Sequence, residues 1–186
     1  MPQNTRPDFT FVIPNTRWHR EGEGRYWNHI PYPEGLLTAV LRKNGYTVNH
    51  VDANTNNLSE DELYQILREK VGRVVGISAL SVEYRDAVHK TFAIIKKANS
   101  DVKTVLGGVY PSISPDVAKE DENLDFIVIA EGEKRLIDLM DCIKNKKPFD
   151  TVDGLHFRDD KKKWRYNPKT LAGGNENLDD LPFPDY

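Results

Sequence analysis

Two glycines, Gly107 and Gly108, end the short β-branched run Val102 to Leu106 in the stretch TVLGGVYPSISPD. Without Cβ atoms they can turn sharply and let a bulky molecule lie directly on the backbone. Val109, Tyr110 and Pro111 follow, and no charged side chain appears until Asp116. A phosphate guest would be met by a helix N-terminus straight after the glycines. Here Val109, Tyr110 and Pro111 are read as intervening, so the chemistry expected is binding of a large, mostly uncharged ligand. In SALSVEY, Ser78 offers a hydroxyl and Leu80 an apolar contact, while Ser81 is read as the cap of the next helix. In AEGEK, Gly132 permits a tight turn and Glu133 suits a helix start, which leaves Glu131 for a ligand or a neighbour.

Other chemistries are bounded by composition. The chain of 186 residues has one cysteine, Cys142, so a disulfide framework or a Cys-based zinc or iron–sulfur site within this chain is excluded. Cys142 falls on the apolar stripe of an expected helix and is read as a buried thiol. A formal net charge of -3 with 26 basic and 29 acidic residues gives no large field of either sign, so nucleic-acid binding through a basic face is not expected. No apolar stretch approaches the roughly 20 residues of a membrane span. A soluble, cytoplasmic protein is the expectation.

Elements that could position these residues alternate along the chain. Strands are expected at Phe9–Ile13, Thr47–Asp52, Val74–Ser78, Thr104–Leu106 and Phe126–Ile129. Between them stand helical stripes: Leu36, Leu37, Val40 and Leu41 before Gly45; Leu63, Ile66 and Leu67 behind a Ser59–Glu62 capping box; Val88, Phe92 and Ile95; and Leu136, Met140 and Ile143. Runs that are apolar on both faces and alternate with helices imply a parallel sheet covered on two sides. The expected fold class is therefore α/β, a doubly wound, flavodoxin-like or Rossmann-like five-stranded sheet in the order 2-1-3-4-5. Residues 1–148 form that domain, and 149–170 read as a small β-hairpin appendage around the Lys161-Lys162-Lys163 turn. Residues 171–186 read as a linker leaving it.

In such a sheet ligands bind beyond the carboxyl ends of the strands. The loop after the first strand, Asn15 to Pro33, is long enough to be functional. It carries Trp18, His19, Tyr26, Trp27, His29 and Tyr32, aromatics that could cover a flat ligand.

Together these pieces resemble the N-terminal cobalamin-binding domain of the cobalamin-dependent radical S-adenosylmethionine enzymes. The resemblance runs from FVIP to LDDLPFPDY and rests on Ser78-x-Leu80, on Gly107-Gly108 followed by VYPSISPD, and on DFIVIAEGE. It implies that Ser78 and Leu80 meet the cofactor's nucleotide tail and that Gly107 and Gly108 let the tail pass. It further implies that Asn15, Val109, Tyr110, Glu131 and Gly132 lie near the corrin or its side chains. The Asp-x-His-x-x-Gly pattern of methionine-synthase-type domains is absent after the first strand, as it commonly is in radical members. Cobalt is then held without a protein histidine, and His19 and His29 are read as solvated. Ala130 stands where the family usually has glycine. No catalytic residue and no metal ligand is assigned to this chain. The iron–sulfur cluster and S-adenosylmethionine would belong to a radical domain beyond it, its expected partner.

Three other readings compete. A flavin- or nucleotide-binding flavodoxin-like module would want a loop rich in Ser, Thr and Gly after the first strand, which PNTRWHREGEGRYW fits poorly. A signalling receiver would want acidic residues clustered at the end of that strand, and FVIPN has none. The third is the same fold without its cofactor, serving as a docking platform.

Overall fold

The apolar runs become strands and the periodic stretches become helices. The computed structural model describes residues 6–19, 31–170 and 177–185. Its strands are β1 (Phe9–Ile13), β2 (Val48–Asp52), β3 (Val74–Ser78), β4 (Lys103–Gly107), β5 (Phe126–Val128), β6 (Leu155–Arg158) and β7 (Trp164–Tyr166). The helices are α1 (Tyr32–Lys43), α2 (Glu60–Lys70), α3 (Arg85–Ala98), α4 (Val109–Ile113), α5 (Pro115–Ala118) and α6 (Glu133–Asn145). β1 to β5 are mutually parallel in the order β2-β1-β3-β4-β5, the doubly wound arrangement expected.

The strand count differs. β6 joins β5 antiparallel and β7 joins β6, so the hairpin extends one sheet to seven strands instead of standing apart. Its anchor is a charge that the apolar stripe of α6 conceals. Arg135 is 1% exposed, and its Nε and Nη2 donate to Asp153 at 3.0 and 2.6 Å, while Nη1 donates to the Glu131 carbonyl at 2.7 Å. Gly154 turns beside it at φ +61°, where a Cβ would lie 2.9 Å from Arg135 Nε.

Strand alternation divides the core into two layers. Val12, Val75, Ile77, Leu106 and Ile127 face α2 and α3, packing on Leu63, Leu67, Val88 and Phe92. Phe9, Phe11, Val74, Val105, Phe126 and Val128 face α1 and α6, packing on Leu41, Leu136, Leu139 and Met140. Cys142 is free and buried in this second layer, as its stripe position implies. Local signals end the helices where expected. Ser59 and Glu62 form the capping box of α2, and Gly45 takes φ +81° after α1. Ser81 Oγ accepts from the Glu83 N–H, capping the 3₁₀ turn Val82–Tyr84 that leads into α3.

Residues 177–185 lie along α1. The Asp185 N–H donates to the Gly35 carbonyl at 3.0 Å, Lys43 Nζ donates to the Asp180 carbonyl at 3.0 Å, and Arg42 pairs with the Asp185 carboxylate. Among the described residues no helix is long and apolar enough to cross a membrane.

Candidate functional site

Parallel pairing sets the rows of side chains from which the site is built. Phe11 of β1 lies beside Gly76 of β3, Gly76 beside Val105 of β4, and Ser78 beside Gly107. These residues share the face that looks toward α1 and α6. Bare Gly107 leaves the sheet uncovered near the carboxyl ends of its central strands, whereas the Phe9 ring covers Gly76, and a cleft of about 880 Å³ opens there. That volume lies within the range of pockets that bury small-molecule ligands. Phe11, Gly76, Ser78, Val105, Gly107 and Val128 form its floor, and Leu36, Leu37 and Leu136 form the helical walls. Leu80, Val109, Ala130 and Gly132 line it at the ends of the strands.

The two opening glycines have different reasons to be glycine. Nothing lies within 4 Å of a Cβ built on Gly107, so its hydrogen borders open cleft. Gly108 has φ +96°, and a Cβ there would lie 2.6 Å from the Ala79 carbonyl oxygen and 2.9 Å from the Ala79 nitrogen. Gly108 thus carries the chain closely over the end of β3, where the Ala79 N–H donates to the Gly107 carbonyl and the Tyr110 N–H to the Ala79 carbonyl, both at 2.9 Å. The reading that Val109 to Pro111 separate the glycines from a helix is corrected: α4 begins at Val109, with Gly108 as its flanking residue. The Tyr110 N–H bond to Ala79 anchors that turn, and Val109 is half-exposed on the cleft.

Of the nine residues singled out from the sequence, Ser78, Leu80, Gly107, Gly108, Val109 and Gly132 line the cleft; Asn15, Tyr110 and Glu131 do not. Asn15 is buried, and its Nδ2 donates to Asn57 Oδ1 at 3.2 Å and the Leu58 carbonyl at 3.0 Å, while its Oδ1 accepts from the Arg17 N–H at 3.1 Å. It ties the end of β1 to the loop after β2. Tyr110 is buried with its hydroxyl 3.1 Å from His89 Nε2, and burial pushes its pKa up. Glu131 is exposed and pairs with Arg135 at 3.4 Å. Its own backbone N–H outweighs the upward push of burial and, with help from the nearby cations Lys169 and Arg135, holds its carboxyl below the usual range.

Trp18 packs against the core and donates from Nε1 to the Leu58 carbonyl at 3.0 Å, so it is held in the framework. Tyr32 is exposed on the cleft rim. Tyr26, Trp27 and His29 lie outside the described residues, as does the side chain of His19. Among the described residues no cluster of His, Cys, Asp and Glu could hold a metal ion.

Sequence reasoning missed the walls: Gly76, Leu36, Leu37, Val105, Val128 and Leu136. One signal was available, since a glycine in the interior of a strand marks a close approach. A Cβ on Gly76 would run into the Phe9 ring.

Ala130 brings the loop after β5 to the cleft. Its N–H donates to Ser112 Oγ at 2.9 Å, and Ser112 donates to the Gly108 carbonyl at 2.8 Å, so the β4 and β5 loops are tied together. Ala130 does this at φ +64°, a left-handed conformation that costs an L-residue about 1–2 kcal/mol. Ala130→Gly relieves that strain and loses part of the gain to the greater freedom of unfolded glycine, about 0.4–1 kcal/mol. The expected outcome is a net stabilisation of roughly 0.5–1 kcal/mol, read as a higher urea midpoint at unchanged slope. A lower midpoint would show that the left-handed turn carries no strain.

The profile of the B12 binding domain matches residues 29–140. The chain is 35% identical over 135 residues to an anaerobic magnesium-protoporphyrin IX monomethyl ester cyclase of Rubrivivax gelatinosus, an alignment covering 72% of this chain and 24% of that protein. It is 27% identical to a cytidylyl-2-hydroxyethylphosphonate methyltransferase of Streptomyces wedmorensis, covering 82% of this chain and 36% of that one. The chain therefore spans about a quarter to a third of the length of these two relatives.

Two solved structures share the fold. One is the radical S-adenosylmethionine methyltransferase TsrM of Kitasatospora setae with cobalamin and a [4Fe-4S] cluster bound, with a TM-score of 0.72 and 18% identity over 96% of this chain and 31% of that one. The other is the cobalamin-dependent S-adenosylmethionine radical enzyme OxsB with aqua-cobalamin bound, with a TM-score of 0.75 and 22% identity over 97% of this chain and 24% of that one.

Proposed function

The chain belongs to the B12-binding domain family, and from that membership we propose that it holds cobalamin with the nucleotide tail in the cleft between the sheet and helices α1 and α6. The observation that carries the reading is the open face of Gly107 above an apolar slot, since a flat, bulky tail needs backbone it can lie against. Ser78, beside Gly107, offers a hydroxyl to that tail, while Leu80, Val109 and Gly132 border the cofactor where the cleft opens. Gly108 shapes the turn that keeps the cleft open. Asn15, Tyr110 and Glu131 support these loops from behind. Cobalt would be held without a histidine of this chain, in keeping with the missing Asp-x-His-x-x-Gly pattern.

Bound cobalamin would supply a cobalt centre able to carry a methyl group or assist a radical step. The chain's own part is to bind and orient it: apolar walls would keep water from the tail, and the strand-end loops tied through Ser112 would border the rest of the cofactor. By analogy with the methyltransferase and cyclase relatives, the partner is a radical S-adenosylmethionine domain, which would bring the iron–sulfur cluster and S-adenosylmethionine. The flavin or nucleotide module is not favoured by the family membership. Nor is the docking platform, which has no use for an open apolar slot of this size.

The test is direct. The chain is mixed with hydroxocobalamin, desalted, and its visible spectrum recorded; the corrin bands should travel with the protein. Dicyanocobinamide, which lacks the nucleotide tail, should bind at least about 10-fold more weakly. Burying an aromatic tail of roughly 150 Å² at about 25 cal/mol per Å² gives ~4 kcal/mol before ordering costs. A colourless protein fraction would refute cobalamin binding, and equal affinity for cobinamide would refute the slot.

A further inference from the structure

Glu133 is the first residue of α6 and lies on the cleft wall beside Gly132. Its Oε2 is shut off from solvent and has no hydrogen-bond partner among the described residues. The helix end does not account for the side chain: the α6 terminus has no side-chain cap, and the Leu136 N–H is satisfied by the Gly132 carbonyl at 2.8 Å. A carboxylate suits the positive end of a helix. A buried acceptor without a partner is costly, whereas a hydrogen bond to a carboxylate is among the stronger ones. The terminal torsion of a glutamate is soft, so either oxygen can turn toward the cleft. A second carboxylate, the buried Glu34, lies on the cleft in the first turn of α1. With Glu83, three carboxylates line a cleft that is otherwise mostly apolar; they oppose an anionic group there and favour a neutral donor.

Cobalamin carries primary amides around the rim of its corrin. Resting on the cobalamin reading above, we infer that Glu133 is a specificity residue: it accepts a hydrogen bond from one of those amides and rejects a carboxylate in its place. This adds a ligand contact at the start of α6, on the helical wall otherwise formed by Leu36, Leu37 and Leu136.

The experiment titrates the chain with cyanocobalamin and with its monocarboxylic acids, in each of which one peripheral amide is hydrolysed, following the visible spectrum. At least one isomer should bind the wild type about 10- to 100-fold more weakly than cyanocobalamin. In Glu133→Gln, whose fold is checked by circular dichroism, that isomer should recover to within about 3-fold of cyanocobalamin while the others keep their order. Glu133→Ala serves as a second variant and should likewise erase the penalty. Equal binding of every isomer to the wild type overturns the inference, as does an undiminished penalty in both variants. If cyanocobalamin itself fails to bind the wild type, the cobalamin reading falls and this inference falls with it; if it binds and the isomers are not distinguished, this inference alone fails.

Discussion

Replacing Gly107 with leucine weakens cobalamin binding roughly 5- to 150-fold and leaves the fold standing. The added side chain projects from β4 on the face of Val105, where nothing lies within 4 Å of its Cβ, so it extends into the slot. Overpacking of a site that must admit a ligand costs about 1–3 kcal/mol, which is the affinity range just given. Gly108→Val behaves differently. A β-branched residue at φ +96° is strained by about 1–3 kcal/mol, and its Cβ collides with the Ala79 backbone, which cannot swing aside as a side-chain tip could. That variant should lose roughly 2–6 kcal/mol of stability, with binding lost as a consequence of unfolding. Thermal melts beside a cobalamin titration separate the two. Full-strength binding by a folded Gly107→Leu protein would mean that the slot is not used.

Arg135→Ala is expected to cost about 3–5 kcal/mol, the usual penalty for leaving one partner of a buried ion pair alone. For a chain of this size that lowers the melting temperature by roughly 6–20 °C. Three hydrogen bonds to two different segments converge on this guanidinium, and Asp153 would keep only its bonds from Thr170. Arg135→Lys should recover only part of the loss, because an ammonium cannot reproduce the fork.

The same pair sets an acid limb. Burial pushes the Asp153 carboxyl up, but hydrogen bonds from Thr170 and Arg135 outweigh it and hold the carboxyl below its ordinary 3.8. A carboxyl lowered in the folded state contributes stability that is complete above its unfolded value and is lost as the pH falls through its folded value. The melting temperature should therefore drop below about pH 4, and Asp153→Asn should flatten that drop while melting lower at neutral pH. An unchanged acid limb in Asp153→Asn would place its origin elsewhere.

The parallel frame was legible because the central strand runs β1, β3 and β5 are largely apolar on both faces and each of the long helices carries a stripe. Ser59–Glu62 and Gly45 marked boundaries by local chemistry, which tertiary context did not override. The five-residue α4 was not legible: VYPSI has proline at its third position and no apolar period long enough to read, and the helix is set by the Tyr110 N–H bond to Ala79. Arg135 was hidden for a related reason. In a helical stripe a lone arginine reads as a flanking solvated residue, and only the return of the chain at Asp153, 18 positions later, supplies the anion that buries it.

At the site, Ser78 and Gly107 were legible as separate strand-end residues, but their adjacency depends on register, which a sequence does not print. Asn15 and Tyr110 were placed near the corrin by the family resemblance alone. Their hydrogen bonds to the surrounding framework, which turn them from the cleft, depend on loops that meet only in the folded chain.

The antiparallel hairpin has a consequence for association between copies. β5 is three residues, all buried, and without β6 its outer rim of N–H and C=O groups would stand open beside apolar side chains. Such a rim is a template for another chain to add to. The borders the sheet does expose are poorer templates: β2 alternates with Asn49, His50 and Asp52, and β7 is three residues long beside the Lys161–Lys163 turn. Lysines and short strands at a border discourage stacking of one molecule on the next. Cutting the chain after Pro148 would thus remove no residue that lines the cleft and yet uncover an edge prone to self-association.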